Sequence, residues 1–265
     1  MLNLATELAV EAASISLARF GKSAARRKTD DSVVTDTDYA IQAHIVERVV
    51  EAYPGHAILA EETAQRERDH GDPASAPYVW VVDPLDATRN YASGLPCFAT
   101  SIAVLENAAP VVGVVYEHNL RHLYTAVIGR GASLNGRAIR VDEPPASHDH
   151  LIGIPSSKDE LTVRVLCSWV AAKGFILRNL GAATLHLAMV ASGALEAAYA
   201  KQSKIWDIAA GALLVTEAGG RITDPFGAEL LPFNLTADAD RDLPFLAGSP
   251  TMHARLLQLI LELPK

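Results

Sequence analysis

Near residues 140–150 the chain changes its hydrophobic pattern, and that change restricts the folds open to it. From Phe98 to Arg140 short β-rich runs follow one another closely, with Asn135-Gly136 as a tight turn, which predicts an antiparallel meander. Beyond it, strand-type segments at 151–154, 175–178, 195–200 and 221–223 alternate with helix-type segments at 159–172, 182–191, 206–217 and 250–261. Such alternation requires helices packed on sheets. Ahead of the meander the spacing predicts helices over 4–20 and 36–52, joined by a polar connector through Asp31. Short strands at 57–60 and 78–82 follow, separated by an exposed polar loop from Thr63 to Pro77. This is an α+β pattern. A subdomain boundary near Pro144-Pro145 divides it into residues 1–145, carrying Asp83 and Asp86, and residues 146–265, carrying Asp207.

The 265 residues are 49% hydrophobic, enough to bury a substantial core. The formal net charge is −8, and basic residues are scattered apart from Arg26-Arg27-Lys28. No broad basic face for nucleic acid is available. An acidic protein repels a phosphorylated substrate unless a cation intervenes, so the charge directs attention to oxygen-rich cation sites. Cys97 and Cys167 cannot build a disulfide framework; both lie among apolar neighbours as small core residues do, which fits a reducing cytoplasm. The N-terminal segment carries Glu7 and Glu11 and lacks a basic leader region, so it reads as an amphipathic helix. The apolar stretch from Ser101 to Tyr116 is split by Glu106-Asn107 into two strands, and no membrane partner is expected.

The segment VWVVDPLDATRNYASGLP carries the chemistry. An apolar strand delivers Asp83 at its end, and Asp86 follows across a proline-forced turn. Two carboxylates side by side raise each other's pKa and need a cation to hold them. Mg²⁺, which prefers hard oxygen ligands, suits such a site, and Pro84 lets the Leu85 carbonyl turn toward the same ion. Ala87 and Thr88 offer backbone N–H groups to a phosphate oxygen. The alternative is that Asp83 caps a turn and Asp86 a helix, as most D-x-x-D pairs do. Glu61-Glu62 leaves a second strand, and Asp207 opens a helix otherwise made of apolar and small residues. Each has a plain reading too, as a solvated loop and a dipole-stabilised helix residue.

The string Asp83-Pro84-Leu85-Asp86-Ala87-Thr88-Arg89-Asn90-Tyr91 resembles the inositol monophosphatase signature D-P-[IL]-D-G-T-x-N-[FY]. Trp206-Asp207-Ile208-Ala209-Ala210-Gly211, with Glu217-Ala218-Gly219-Gly220, resembles that family's W-D-x-A-A-G and E-A-G-G. Val34 to Asp38, Ala60 to Thr63 and Gly131 to Gly136 fall in the family's order. The resemblance implies a layered αβαβα sandwich of the sugar-phosphatase type, a homodimer, lithium sensitivity and two to three Mg²⁺ ions acting on a small phosphorylated metabolite. By position, Glu61, Asp83 and the Leu85 carbonyl would hold one metal; Asp83, Asp86 and Asp207 would hold a second, and Glu61 with water a third. Thr88 and Asp38 would activate the attacking water. Ala87 and Thr88 would grip the phosphate, with Gly181 and Ala183 facing the substrate.

Two positions depart from the family. Ala87 replaces the usual glycine, and Ala200 replaces a Glu seven positions before Asp207 that accepts hydrogen bonds from substrate hydroxyls. Ala200 therefore predicts weak discrimination for inositol monophosphate, and Lys201 or Lys204, facing the cleft, would favour a bisphosphate. Fructose 1,6-bisphosphate, histidinol phosphate and nucleotide 3′-phosphates are the alternative substrates. A regulatory or interaction protein retaining the fold is the alternative function. Gly131 to Arg137 imitates a phosphate loop but lacks its Lys and Ser/Thr, so it reads as a hairpin. His148-Asp149-His150 reads as a solvated loop rather than a metal site, and Lys28 is placed near the active site by its position in the family pattern.

Overall fold

The architecture is organised on one strand, β4 (Tyr78–Asp86), buried everywhere except at its two ends. A strand apolar on both faces must be covered on both. In the computed structural model, which describes residues 1–28, 32–62, 71–143, 149–156, 159–172, 174–238 and 241–263, helices supply that cover. Trp80 and Val82 point toward α1 (Leu2–Arg19) and α2 (Asp36–Ala52), where Leu8, Ala12, Ile41 and Ile45 meet them. Val79 and Val81 point the other way, into a cluster with α5 (Ala183–Ala191) and α6 (Ile205–Glu217).

β4 pairs in parallel with β3 (Ala57–Ala60) and antiparallel with β5 (Ala99–Glu106). The sheet continues as the expected meander through β6 (Ala109–Glu117), β7 (His122–Val127), β8 (Ala132–Leu134) and β9 (Arg137–Ile139). Its tight turns, Asn107-Ala108 and Asn135-Gly136, place both residues at positive φ, the geometry that two-residue hairpins require. A five-stranded sheet runs in the order β11 (Phe175–Arg178), β10 (His150–Gly153), β12 (Ala197–Ala200), β14 (Phe245–Gly248), β13 (Arg221–Thr223). Its first three strands are parallel, and β14 is antiparallel to both of its neighbours.

On β12, Ala198 and Ala200 face the α5–α6 layer. Ala197 and Tyr199 face Trp169 on α4 (Glu160–Ala171) and Leu256 on α7 (Pro250–Leu261). The layers are therefore α1/α2, seven strands, α5/α6, five strands, α4/α7. This is the αβαβα sandwich, of mixed sheets with helices between and outside. The predicted boundary at Pro144-Pro145 lies outside the described residues, as do Thr63 to His70 of the predicted loop. No helix among the described residues is long and apolar enough to cross a membrane.

Three elements differ from the sequence reading. The polar connector contains a small antiparallel pair, β1 (Ala25–Arg27) with β2 (Val33–Thr35), whose exposed first strand leaves no hydrophobic alternation to detect. β14 was not expected, because four buried residues ending in glycine carry neither period. Cys167, expected in the core, is exposed on α4; only Cys97 is partly buried.

The central helical layer approaches the seven-stranded sheet closely at Gly113 on β6, where a Cβ would lie 2.8 Å from the Ala210 carbonyl oxygen and 3.2 Å from its Cα. Backbone cannot move aside as a side chain can. Gly113→Ala is expected to destabilise the protein by about 1–3 kcal/mol, the usual scale of overpacking. Urea denaturation should show a lower midpoint at unchanged slope; an unchanged midpoint would mean that α6 is not seated as closely as described.

Candidate active site

The end of β4 is where the acidic residues gather. Asp83 is buried, with 1% of its surface exposed, and its Oδ1 accepts from the Leu85 amide at 3.0 Å across the Pro84 turn. Asp86 and Asp207 are half-buried and line one cavity of about 190 Å³, together with Gly181, Ala183 and Ala200. Glu61 leaves β3 beside them, its amide still bonded to Val82 O at 3.1 Å in the parallel register. Burial first, then the charges of Glu61, Asp86 and Asp207, push the Asp83 carboxyl well above the usual carboxylate range, and Glu61 shares a side-chain hydrogen bond with it. Asp207 is raised in the same way by burial, Asp86 and Glu61. Asp86 is pushed up to about 6 by burial, although bonds from Thr184 and the Ala87 amide work against the shift.

Three carboxylates are held by backbone at helix starts. Asp86 Oδ2 accepts from the Thr184 amide at 3.0 Å and from the Thr184 hydroxyl. Asp207, third residue of α6, accepts from the Lys204 amide at 2.6 Å. Asp38, third residue of α2, accepts from the Thr35 amide at 2.9 Å through Oδ2, closing a capping box with Thr35. Its other oxygen, Oδ1, accepts from the Thr88 hydroxyl at 2.8 Å; that hydroxyl also lies 2.9 Å from the Leu85 carbonyl. Burial pushes Asp38 up to about 6.

Ala87 sits at φ 68°, ψ 43°, in the left-handed region that a glycine would occupy without strain. The turn is kept, at a cost of about 1 kcal/mol. The Ala87 amide donates to the Asp86 carboxylate.

Lys28 reaches this cluster: its Nζ is 3.0 Å from Glu61 Oε1 and 2.9 Å from Glu62 Oε1. Burial opposes its charge, but the two glutamates outweigh burial and hold the ammonium above its usual range. Glu62 is itself buried and pushed up to about 7 by burial and by Glu61. Gln42 fixes its backbone from both sides, at 3.1 and 2.9 Å.

Neither Lys201 nor Lys204, either of which would favour a bisphosphate if it faced the cleft, lines the cavity. Lys201 pairs with Asp159 at 2.6 Å and Lys204 with Asp242 at 3.0 Å. Gln202, the residue between Lys201 and Ser203, lines the cavity instead. The alternating directions of an irregular segment after β12 are not readable from sequence. Gln42, Thr184 and His186 were also missed. A helical reading could have found Gln42, one turn beyond Asp38, and Thr184, in the first turn of α5; nothing local marks His186. His148 lies outside the described residues and Asp149 is exposed, but His150 is buried on β10 beside Phe175 rather than in a solvated loop.

Among the described residues no group of three or more His, Cys, Asp or Glu side chains is gathered tightly enough to hold an ion as it stands. The chemistry of the donors nevertheless fits Mg²⁺. They are carboxylate and carbonyl oxygens only, a proton-sharing Glu61–Asp83 contact stands where opposite charge is needed, and this ion takes few protein ligands and keeps its waters. A larger cavity of about 510 Å³ opens at the other end of β4, between Pro77 and Phe233, and has no charged side chain in its lining. It offers a cation nothing.

The sequence profile described as the Inositol monophosphatase family matches residues 1–263. Inositol monophosphatase 2 of Solanum lycopersicum is 37% identical over 211 residues, 77% of this chain and 78% of that protein. The Nus factor SuhB of Haemophilus influenzae is 35% identical over 231 residues, 84% and 85% of the two chains. Among solved structures, the extragenic suppressor protein SuhB of Bartonella henselae superposes with a TM-score of 0.87 at 27% identity, covering 98% of each chain. An IMPase of Thermotoga maritima gives 0.85 at 29% identity, covering 99% of this chain and 97% of that one. By its sequence, its layer order and the acidic cluster at the end of β4, this chain belongs to the inositol monophosphatase family.

Proposed function

We propose that the chain is a Mg²⁺-dependent hydrolase of small phosphate monoesters. The observation that carries this reading is the gathering of Glu61, Asp83, Asp86 and Asp207 at the end of β4, the last two lining the cavity, together with the Thr88–Asp38 pair. Glu61, Asp83, Asp86, Asp207 and the Leu85 carbonyl are the residues that would hold the cations. When bound, Mg²⁺ supplies charge neutralisation at the phosphoryl group and acidifies water. The protein supplies orientation. With its proton donated to Asp38, the Thr88 oxygen keeps lone pairs to accept from a water in the cleft, and Asp38 is the buried base to which a proton can pass. Thr35 prevents Asp38 from swinging away. The free state of both cysteines fits a reducing cytoplasm. The relative named Nus factor favours a second reading, a regulatory or interaction protein that keeps the fold. Phosphate release by the purified protein, with and without Mg²⁺, separates the two.

Chelation should abolish turnover, and Asp83→Asn should do so at ordinary Mg²⁺. In chelator the same substitution should raise the melting temperature, because it removes one of several mutually repelling buried charges. Full activity in Asp83→Asn would remove the mechanism; a lowered melting temperature in chelator would remove the electrostatic account of the cluster.

Thr88→Ala is expected to lower kcat roughly 10²-fold, the scale for a group that manages proton transfer. Steady-state kinetics in which only KM rises would reduce Thr88 to a binding residue.

The raised carboxyls also give stability a pH dependence. Folded Asp38 and Asp86 titrate near 6, against about 4 in an unfolded chain. Between those values the folded state holds more protons, so its stability is greatest at low pH and falls as pH rises through about 6. Without metal the melting temperature should therefore fall from about pH 5 to about pH 8 through these groups, and Mg²⁺ should restore more of it at the higher pH. Scanning calorimetry at both values, with Mg²⁺ and with chelator, checks this; an equal Mg²⁺ shift at both would contradict it.

A further inference from the structure

We infer that His186 determines specificity by donating a hydrogen bond from Nδ1 to an acceptor oxygen on the alcohol part of the substrate, an inference that rests on the phosphomonoesterase reading. His186 is the fourth residue of α5 and lies against Gly153, the last residue of β10. A Cβ at position 153 would come within 2.9 Å of His186 Cγ and 3.1 Å of its Cδ2, so the missing side chain there makes the seat for the ring. The Leu180 amide donates to Nε2 at 3.2 Å. A neutral imidazole that accepts at Nε2 carries its proton on Nδ1. Burial lowers the pKa to about 4, which keeps the ring neutral at physiological pH.

The ring is 2% exposed and lines the cavity of Asp86, Asp207 and Ala200. Among the described residues its Nδ1 has no hydrogen-bond partner, yet it is not one of the polar atoms sealed from solvent, so the N–H is offered to the cavity. The mount is fixed from several sides. The Leu180 carbonyl accepts from Asn90 Nδ2 at 2.7 Å, and Asn179 exchanges hydrogen bonds with Ser156 at 2.9 and 3.1 Å. A donor held this firmly loses little freedom when it binds.

The rest of the wall defines the ligand. Ala200 gives a methyl group, and Ile154 and Pro155 add apolar surface. Lys201 and Lys204 are paired elsewhere, so neither awaits a second phosphate. A cavity of about 190 Å³ beside two carboxylates suits the monophosphate of a small neutral alcohol with an oxygen acceptor near the ester.

The test is phosphate release with Mg²⁺ from glycerol 2-phosphate and from isopropyl phosphate, which has the same carbon skeleton without hydroxyls, using the wild type, His186→Leu and His186→Gln. The wild type should favour glycerol 2-phosphate in kcat/KM by roughly tenfold, the worth of one neutral hydrogen bond. His186→Leu should lose that preference through KM for glycerol 2-phosphate, with isopropyl phosphate changed by no more than about twofold. Glutamine, able to accept from Leu180 and donate to the cavity, should restore part of it. If His186→Leu does not fold, imidazole nitrogen NMR of the wild type carries the test: the Nδ1–H resonance should shift with glycerol 2-phosphate and not with isopropyl phosphate. No wild-type preference, equal loss on both esters in His186→Leu, or no shift would overturn the assignment. A wild type that hydrolyses neither ester would remove the phosphomonoesterase reading itself, a result distinct from loss of discrimination.

Discussion

Several carboxyl groups withdrawn from water around the end of β4 are the costliest feature of this protein, and much of its architecture answers that cost. Like charges in a poorly solvated site drive one another toward the protonated form. The chain brings helix N-termini to the same place. α2 contributes Asp38 and the amides around Thr35, α5 gives the Thr184 amide to Asp86, and α6 holds Asp207 through the Lys204 amide. Unsatisfied N–H groups and the positive ends of helix dipoles are what buried carboxylates need. They moderate the cost without cancelling it: Asp83 and Asp207 remain far above the ordinary carboxylate range. That residual is what the proposed cations would offset.

The layered core makes the convergence rigid. α5 and α6 lie between the sheets, and a single apolar cluster runs from Val79 and Ala103 on one sheet, through Leu187 and Leu214, to Ala198 and Ala247 on the other. Asp207 is thereby carried to Asp83 across nearly half of the sequence. Glycines set the spacing: Gly113 admits the α6 backbone, Gly211 admits Leu187, and Gly153 admits the His186 ring. In close-packed interiors, displacement of one layer reaches the next. The acidic cluster thus depends on packing far from it.

Chemistry and recognition have separate supports. The Thr88–Asp38 pair is held by the α2 capping box, whereas the cleft wall is held by Asn90, Asn179 and His186 around Leu180. The departures from the family pattern divide along the same line. Ala87 preserves the turn after Asp86, in a left-handed conformation. Ala200 puts a methyl group where the family pattern has an acceptor, on a cavity wall that Gln202 and His186 also line.

The sequence by itself determined the strongly periodic elements and the acidic residues that gather at the end of β4. α2 falls on the predicted residues 36–52, and Asp83, Asp86 and Asp207 were legible because each follows an apolar run or opens an apolar helix, where an acid needs a reason. The family strings then joined segments that local pattern could not join. Short or exposed pieces such as β1 and β14 carry too few residues to show a period. Only the tertiary structure decided which way Lys201 and Lys204 turn, that Lys28 meets Glu61 and Glu62, and that Gly153 and Leu180 seat and orient His186. Periodicity reports which face of an element is buried. The direction of a side chain on an irregular segment, and the free nitrogen of a buried ring, depend on neighbours distant in sequence, and those positions exist only once the layers have closed.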